Sequence, residues 1–315
     1  MNRRQVFRHF IGIATGVVAL RRSTIYGQTG VRLTPLNDDL AVVTGAGANL
    51  LVHRANDDGL LLIDSGLARE NDGVHFVLKN YSTAPVGVLI NTHWHPRHTG
   101  GNANFGSGGA EIIAHINCLK RLSTTQQLTF PDRIVEPLPP EGLPKRTFVD
   151  RGELRHGNDV VRYMHLPPAH TDGDIVVRLA NANVYHCGDL FWNRLYPYID
   201  YGSGGSIEGM IANAARILGE VDARTSLIPG HGTVAIKAEL QAFHDMLADV
   251  NEKVDALLQQ GKPLGRIQAS RPTARYDEVW GDGRFSGSEF VQMLYSGKRR
   301  QVGGKEPLKT SWQIL

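Results

Sequence analysis

Residues 91–102 read Asn91-Thr92-His93-Trp94-His95-Pro96-Arg97-His98-Thr99-Gly100-Gly101-Asn102. Three histidines fall within six residues, directly after the apolar run at 86–90. His93 and His95 are two apart, so an extended segment points both imidazoles the same way. Neutral imidazole nitrogens that bind a zinc ion must converge on it at about 2.0–2.1 Å. The glycines that follow let the backbone turn away sharply.

Outward from this loop the chain alternates strands and helices. Leu60-Leu61-Leu62-Ile63 is an unbroken apolar run, which predicts a strand covered on both faces, and Asp64-Ser65-Gly66 ends it. Upstream, 41–43 and 49–53 read as strands, and Asn56-Asp57-Asp58-Gly59 reads as a hairpin turn. Residues 74–81 read as a helix; 86–90, 111–114, 160–164, 175–179 and 184–187 read as further strands. Ser206 caps a helix whose apolar positions run from Ile207 to Val221. Apolar residues from Leu240 to Leu258 recur at helical spacing until Gly261 stops them. The proline-rich stretch 121–148 reads as a long irregular segment, the kind that serves as a lid or binding loop.

Four more motifs stand in order around the histidine loop: Leu62-Ile63-Asp64-Ser65-Gly66, Pro167-Pro168-Ala169-His170-Thr171-Asp172-Gly173-Asp174, His186-Cys187-Gly188-Asp189 and Ile228-Pro229-Gly230-His231-Gly232. Together the five resemble the metallo-β-lactamase superfamily, whose signature loop has the usual form H-x-H-x-D-H. The resemblance covers about residues 35–235. It implies an α+β fold, a four-layer αββα sandwich of two mixed sheets with helices outside and the site at one edge. Residues 236–315 are then a C-terminal helical extension; its Tyr276-Asp277 and Trp280-Gly281 resemble a periplasmic zinc-hydrolase branch associated with sulfur-oxidation or quinoprotein systems.

Carried over position by position, the resemblance makes His93, His95 and His170 the first metal site. His98, His231 and Asp189 serve the second, with Asp189 between the two. A tri-histidine site with one open position matches catalytic zinc. Asp64 is expected to tie the signature loop by hydrogen bonds, and Cys187 to fill a small buried apolar role.

The chain departs from the family at one position: Arg97 stands where the signature loop has aspartate. A carboxylate ligand becomes a cation that does not lose its proton. At about 4 Å and an effective dielectric of ~20, each unit charge changes the energy by about 4 kcal/mol. One tight zinc with a second site weak or absent is the expectation. Arg97 is left with three roles: filling the vacated space, holding a substrate carboxylate through two hydrogen bonds, or pairing with Asp189.

The N-terminus reads as a separate unit. Residues 1–28 hold Arg3, Arg4, Arg8, Arg21 and Arg22 and no acid, and the apolar stretch from Phe10 to Leu20 is about half the roughly 20 residues a membrane span needs. This is the pattern of a secretory signal, and Arg3-Arg4 before Val6-Phe7 resembles the twin-arginine type. The expected organisation is signal peptide 1–28, catalytic-fold domain 29–235 and extension 236–315, in a periplasmic or otherwise exported protein. Taking those five arginines from the 34 basic residues leaves 29 against 31 acids, so the net charge of +3 marks neither a nucleic-acid binder nor stable membrane insertion of the mature chain. Cys118 and Cys187 are expected to be free thiols.

The resemblance implies a zinc-dependent hydrolase acting on a small-molecule ester, thioester, lactone or amide. Zinc-bound hydroxide attacks the carbonyl, zinc or Arg97 stabilises the oxyanion, and Asp189 accepts the proton. The rival readings are a β-lactamase, a catalytically weakened metal-binding accessory protein, and iron-dependent oxidation of a persulfide-like substrate.

Overall fold

A computed structural model describes residues 24–26, 30–55, 58–129 and 132–301. The export signal expected at 1–28 lies almost wholly outside them, as do Asn56 and Asp57 of the expected turn. The first sheet contains β1 (Ile25–Tyr26), β2 (Arg32–Pro35), β3 (Leu40–Thr44), β4 (Leu50–Ala55), β5 (Gly59–Ile63), β6 (Val86–Ile90), β7 (Glu111–His115) and, at its far edge, β10 (Arg146–Phe148). Strands β1 to β5 run antiparallel, and β5, β6, β7 and β10 are parallel. The second sheet orders β11 (Arg151–His156), β12 (Asp159–His165), β13 (Ile175–Leu179), β14 (Val184–Trp192) and β15 (Ser226–His231), antiparallel except for the last pair.

The apolar run in β5 shows why two layers form on each side. Leu60 and Leu62 join Val74, Val77 and Leu78 of α1 (Asn71–Tyr81), while Leu61 and Ile63 face Val161, Tyr163 and Val177 of the second sheet. One strand thus serves two cores through its period-2 alternation. The outer face of the second sheet, with Val176, Tyr185 and Cys187, packs against α5 (Ile207–Glu220) and α6 (Lys237–Gln259). The architecture is the αββα sandwich expected. Ser206 caps α5 by accepting from the Gly209 N–H, and Gly261 follows α6 with φ +70.

The C-terminal helices α7 (Leu264–Ala269), α8 (Asp277–Trp280) and α9 (Gly287–Gln301) continue the core around α6, where Phe243, Trp280 and Phe290 are buried beside Phe191 of β14. The extension therefore closes one flank of the sandwich. Residues 121–148 differ from the irregular segment expected. They contain the end of α4 (Ile116–Leu122), a hairpin of β8 (Gln126–Thr129) with β9 (Asp132–Val135), and β10. The hairpin strands are mostly polar and exposed, with Ile134 at 66% exposure, so the alternation that marks a half-buried strand is missing. Two further short helices, α2 (Pro96–Thr99) and α3 (Asn102–Ser107), lie within and just after the histidine loop.

Candidate metal centre

The centre sits where four segments end together. Strand β6 delivers the 91–102 loop, the β12–β13 connection carries His170, β14 carries Asp189, and β15 ends on His231. It lies beyond the carboxyl ends of parallel strands, where open α/β sheets place ligands. Backbone bonds stitch the two sheets at this edge: the Ile175 N–H donates to Thr92 O (2.9 Å) and the Asn49 N–H to Gly230 O (2.8 Å). Asn102 and Asn91 bond each other side chain to side chain, at 2.8 and 3.0 Å, and so clasp the two ends of the histidine loop.

The three histidines of the first site converge as expected. His93 Nε2 and His95 Nδ1 are 3.1 Å apart, His95 Nδ1 and His170 Nε2 2.8 Å, and His170 Nε2 and His93 Nε2 3.2 Å. Asp189 Oδ2 stands 3.3 Å from His170 Nε2 and 3.9 Å from His93 Nε2. The donors of a tetrahedral zinc site lie about 3.3 Å from one another, so this set has the spacing that a small cation requires. All four residues are buried. Burial, followed by the neighbouring His98 and His170, holds His93 well below the usual histidine range; burial also pulls His95 down to about 4, against the pull of Asp200. Neutral imidazole is the form that binds metal.

Each ring is also fixed through its other nitrogen. His93 Nδ1 meets Thr92 Oγ1 at 3.1 Å, His95 Nε2 meets Asp200 Oδ2 at 2.9 Å, and His170 Nδ1 meets the Tyr198 carbonyl at 2.7 Å. Such partners set the tautomer and aim of a ligating histidine. Asp200 is a functional residue that sequence reasoning missed. It is fully buried, and its other oxygen accepts the Gly202 and Ser203 N–H groups. The sequence held one signal for it, an aspartate before the turn-forming Gly202-Ser203-Gly204-Gly205. Replacing Asp200 with Asn should weaken metal affinity about 10–100-fold, measured by competition with a chelator, without unfolding the protein.

The second set is assembled too. His98 Nε2 lies 3.1 Å and His231 Nε2 3.4 Å from Asp189 Oδ1. None of these three buried atoms makes a well-directed hydrogen bond, although such groups are almost always paired. A cation between them would satisfy all three. Burial opposes charge on His98, yet Asp189 and Asp64 outweigh it and raise its pKa to about 10, so the spot attracts positive charge. Asp189 thus stands within reach of both donor sets, at the place the resemblance implies for it. Gly230 packs so closely that a Cβ there would collide with Asp189 Oδ1, which is why this position is glycine.

Asp64 takes the structural role expected of it. Its carboxylate accepts the Thr92 N–H (2.7 Å), the Thr92 hydroxyl (2.7 Å) and, on His98, Nδ1 (2.7 Å). It holds φ 62, a left-handed conformation unusual for a residue with a side chain. Cys187 faces the α5 side, buried and away from both metal sets; Gly188, with φ +50 at a register shift, breaks the alternation that would have put it on the Asp189 face. Cys118 is likewise free and buried.

Arg97 pairs with no carboxylate among the described residues; its Nη1 donates to the Gly47 carbonyl at 3.2 Å. It lines a cleft over the metal sets with His95, Asp189, Trp192 and Tyr198. Phe191 and Tyr196 lie in the core, and the Tyr276–Trp280 stretch is structural: Asp277 accepts the Tyr196 hydroxyl at 3.1 Å.

A four-layer sandwich with a histidine-rich double donor set at its edge defines a class of metal-binding protein. The chain belongs to the metallo-β-lactamase superfamily, whose family model matches residues 44–231. It is similar to the hydroxyacylglutathione hydrolase of Rhodospirillum rubrum, with 25% identity over 201 residues, 61% of this chain and 69% of that protein. Among solved structures it resembles the sec-alkylsulfatase Pisa1 from Pseudomonas sp. (TM-score 0.66, 16% identity, 92% of this chain and 52% of that one). The chain thus spans about half the length of that alkylsulfatase. It also resembles the DIM-1 metallo-β-lactamase (TM-score 0.55, 18% identity, 72% of this chain and 99% of that one). Among the described residues no helix is long and apolar enough to cross a membrane.

Proposed function

We propose that the protein is a zinc-dependent hydrolase of a small-molecule ester, thioester, lactone or amide, with one tightly held metal. The observation that carries this reading is the convergence of three imidazole nitrogens within 2.8–3.2 Å of one another, each ring held from behind. His93, His95 and His170 would hold the ion, with Asp189 beside them. Zinc bound there lowers the pKa of a coordinated water toward about 7 and polarises a carbonyl. Thr92, Asp200 and the Tyr198 carbonyl keep the three rings aimed. Asp189 is the single carboxylate lining the cleft among the described residues, so proton acceptance falls to it. Arg97 puts a cation on the cleft wall, available to the developing oxyanion. The hydrolase named for an acylglutathione substrate supports the acyl-bond reading. The test is elemental analysis of the purified protein, then a panel of esters, thioesters, lactones and lactams. Stoichiometric zinc with no turnover on any of them would sink the hydrolase reading, and turnover of lactams alone would favour a β-lactamase.

The second set, His98, Asp189 and His231, is proposed as a weaker site, since Arg97 replaces a carboxylate and adds a positive charge beside it. Arg97→Asp should raise tightly bound zinc from about one per chain toward two, because the other three donors are in place. Zinc per chain after dialysis, compared with the wild type, checks this; an unchanged ratio would contradict it. Export through the twin-arginine route is proposed from Arg3 and Arg4. Changing both to Lys should retain the precursor in the cytoplasm, and an unchanged periplasmic yield on fractionation would show the proposal wrong.

A further inference from the structure

The cleft over the metal centre holds more positive charge than hydrolysis of a neutral acyl bond needs. Four guanidinium groups line it, from Arg69, Arg97, Arg133 and Arg284, against the single carboxylate of Asp189. They come from separate parts of the chain: Arg97 from the histidine loop, Arg133 from β9 and Arg284 from the segment between α8 and α9. Arg69 is engaged by Glu70 at 3.1 Å. Arg97, Arg133 and Arg284 form no ion pair among the described residues, although Arg284 lies over the Phe285 ring at 5.4 Å. Arg97 is half-buried. One developing oxyanion accounts for one such group at most. With Arg97 set beside that oxyanion and Arg69 engaged by Glu70, the exposed Arg133 and Arg284 on the cleft wall suit a second anion.

Resting on the hydrolase reading, which gives Arg97 to the developing oxyanion, we infer that the substrate carries a second, pendant oxyanion (a carboxylate, sulfonate or phosphate group) apart from the bond cleaved, and that Arg133 and Arg284 grip it. Guanidinium suits this task because its planar fork donates two parallel hydrogen bonds to such a group. The hairpin β8–β9 and the C-terminal extension then have a recognition role in addition to packing, since each contributes one arm of the clamp.

Two measurements test this. In the first, 4-nitrophenyl acetate is compared with the 4-nitrophenyl hemiester of glutaric acid and with a sulfonate-bearing ester of equal length. The charged esters should have kcat/KM at least about tenfold above the neutral one, the carboxylate and sulfonate arms showing which anion fits better. Arg284→Gln and Arg133→Gln should each reduce the charged-to-neutral ratio by about tenfold. In the second, calorimetry follows glutarate binding to the same proteins, whether or not they turn over ester. Wild type should bind it, more weakly as salt rises, and both variants should lose about tenfold in affinity. Hydrolysis with no preference for charged esters would overturn the clamp and leave the hydrolase reading standing. Absence of hydrolysis with arginine-dependent glutarate binding would do the reverse. Equal glutarate affinity in wild type and both variants, or no binding in any, would also overturn the clamp.

Discussion

His95→Ala and His170→Ala should each lose the tight metal and hydrolysis together. His95 Nδ1 and His170 Nε2, 2.8 Å apart, are the closest pair in the first donor set, and the two arrive from different segments. Removing either leaves two imidazoles and one carboxylate, short of a closed tri-histidine set, and frees Asp200 or the Tyr198 carbonyl from its partner. Zinc content should fall from about one per chain to near zero after dialysis. Turnover should drop on the order of 10³-fold, which is about 4 kcal/mol of transition-state stabilisation. The protein should stay folded, because the rings sit at the sheet edge and the cores beneath them are unchanged. A variant that kept full zinc content would mean that the first set is misassigned.

Asp64→Ala should instead be felt as stability. The carboxylate is fully buried and takes three bonds, from the Thr92 N–H, the Thr92 hydroxyl and His98 Nδ1. Alanine leaves these groups buried without a partner and keeps the demand for φ 62. Breaking a buried charged network of this kind costs about 3–5 kcal/mol. Urea unfolding of the metal-free protein should show that loss as a lower midpoint. A change below about 1 kcal/mol would mean that the loop is held by the Asn91–Asn102 clasp without it.

Much of this architecture is legible in the chain because one physical signal dominates each part. Leu60–Ile63 is apolar at every position since it serves the α1 core and the inter-sheet core at once, and that reads directly as a strand covered on both faces. The metal donors are legible for a different reason: His93, His95 and His98 share one loop, and His170, Asp189 and His231 each sit in a motif of the family. The β8–β9 hairpin escaped because polar, exposed strands carry no alternation to read. Asp200 escaped because its tie to His95 spans 105 positions and leaves no spacing pattern. The arginine cleft escaped for the same reason. Arg69, Arg97, Arg133 and Arg284 are dispersed, so a near-balanced composition concealed a strongly positive concentration of charge over the centre.

Arg97 joins the two halves of the account. It removes a carboxylate from the second donor set, and it adds a cation to the cleft that faces the substrate. The direct test is zinc per chain by elemental analysis after exhaustive dialysis of the wild-type protein against trace-metal buffer. The account predicts a value close to one, held by His93, His95 and His170 with Asp189. A value near zero would contradict the metal centre itself, and a value near two would contradict the role given to Arg97.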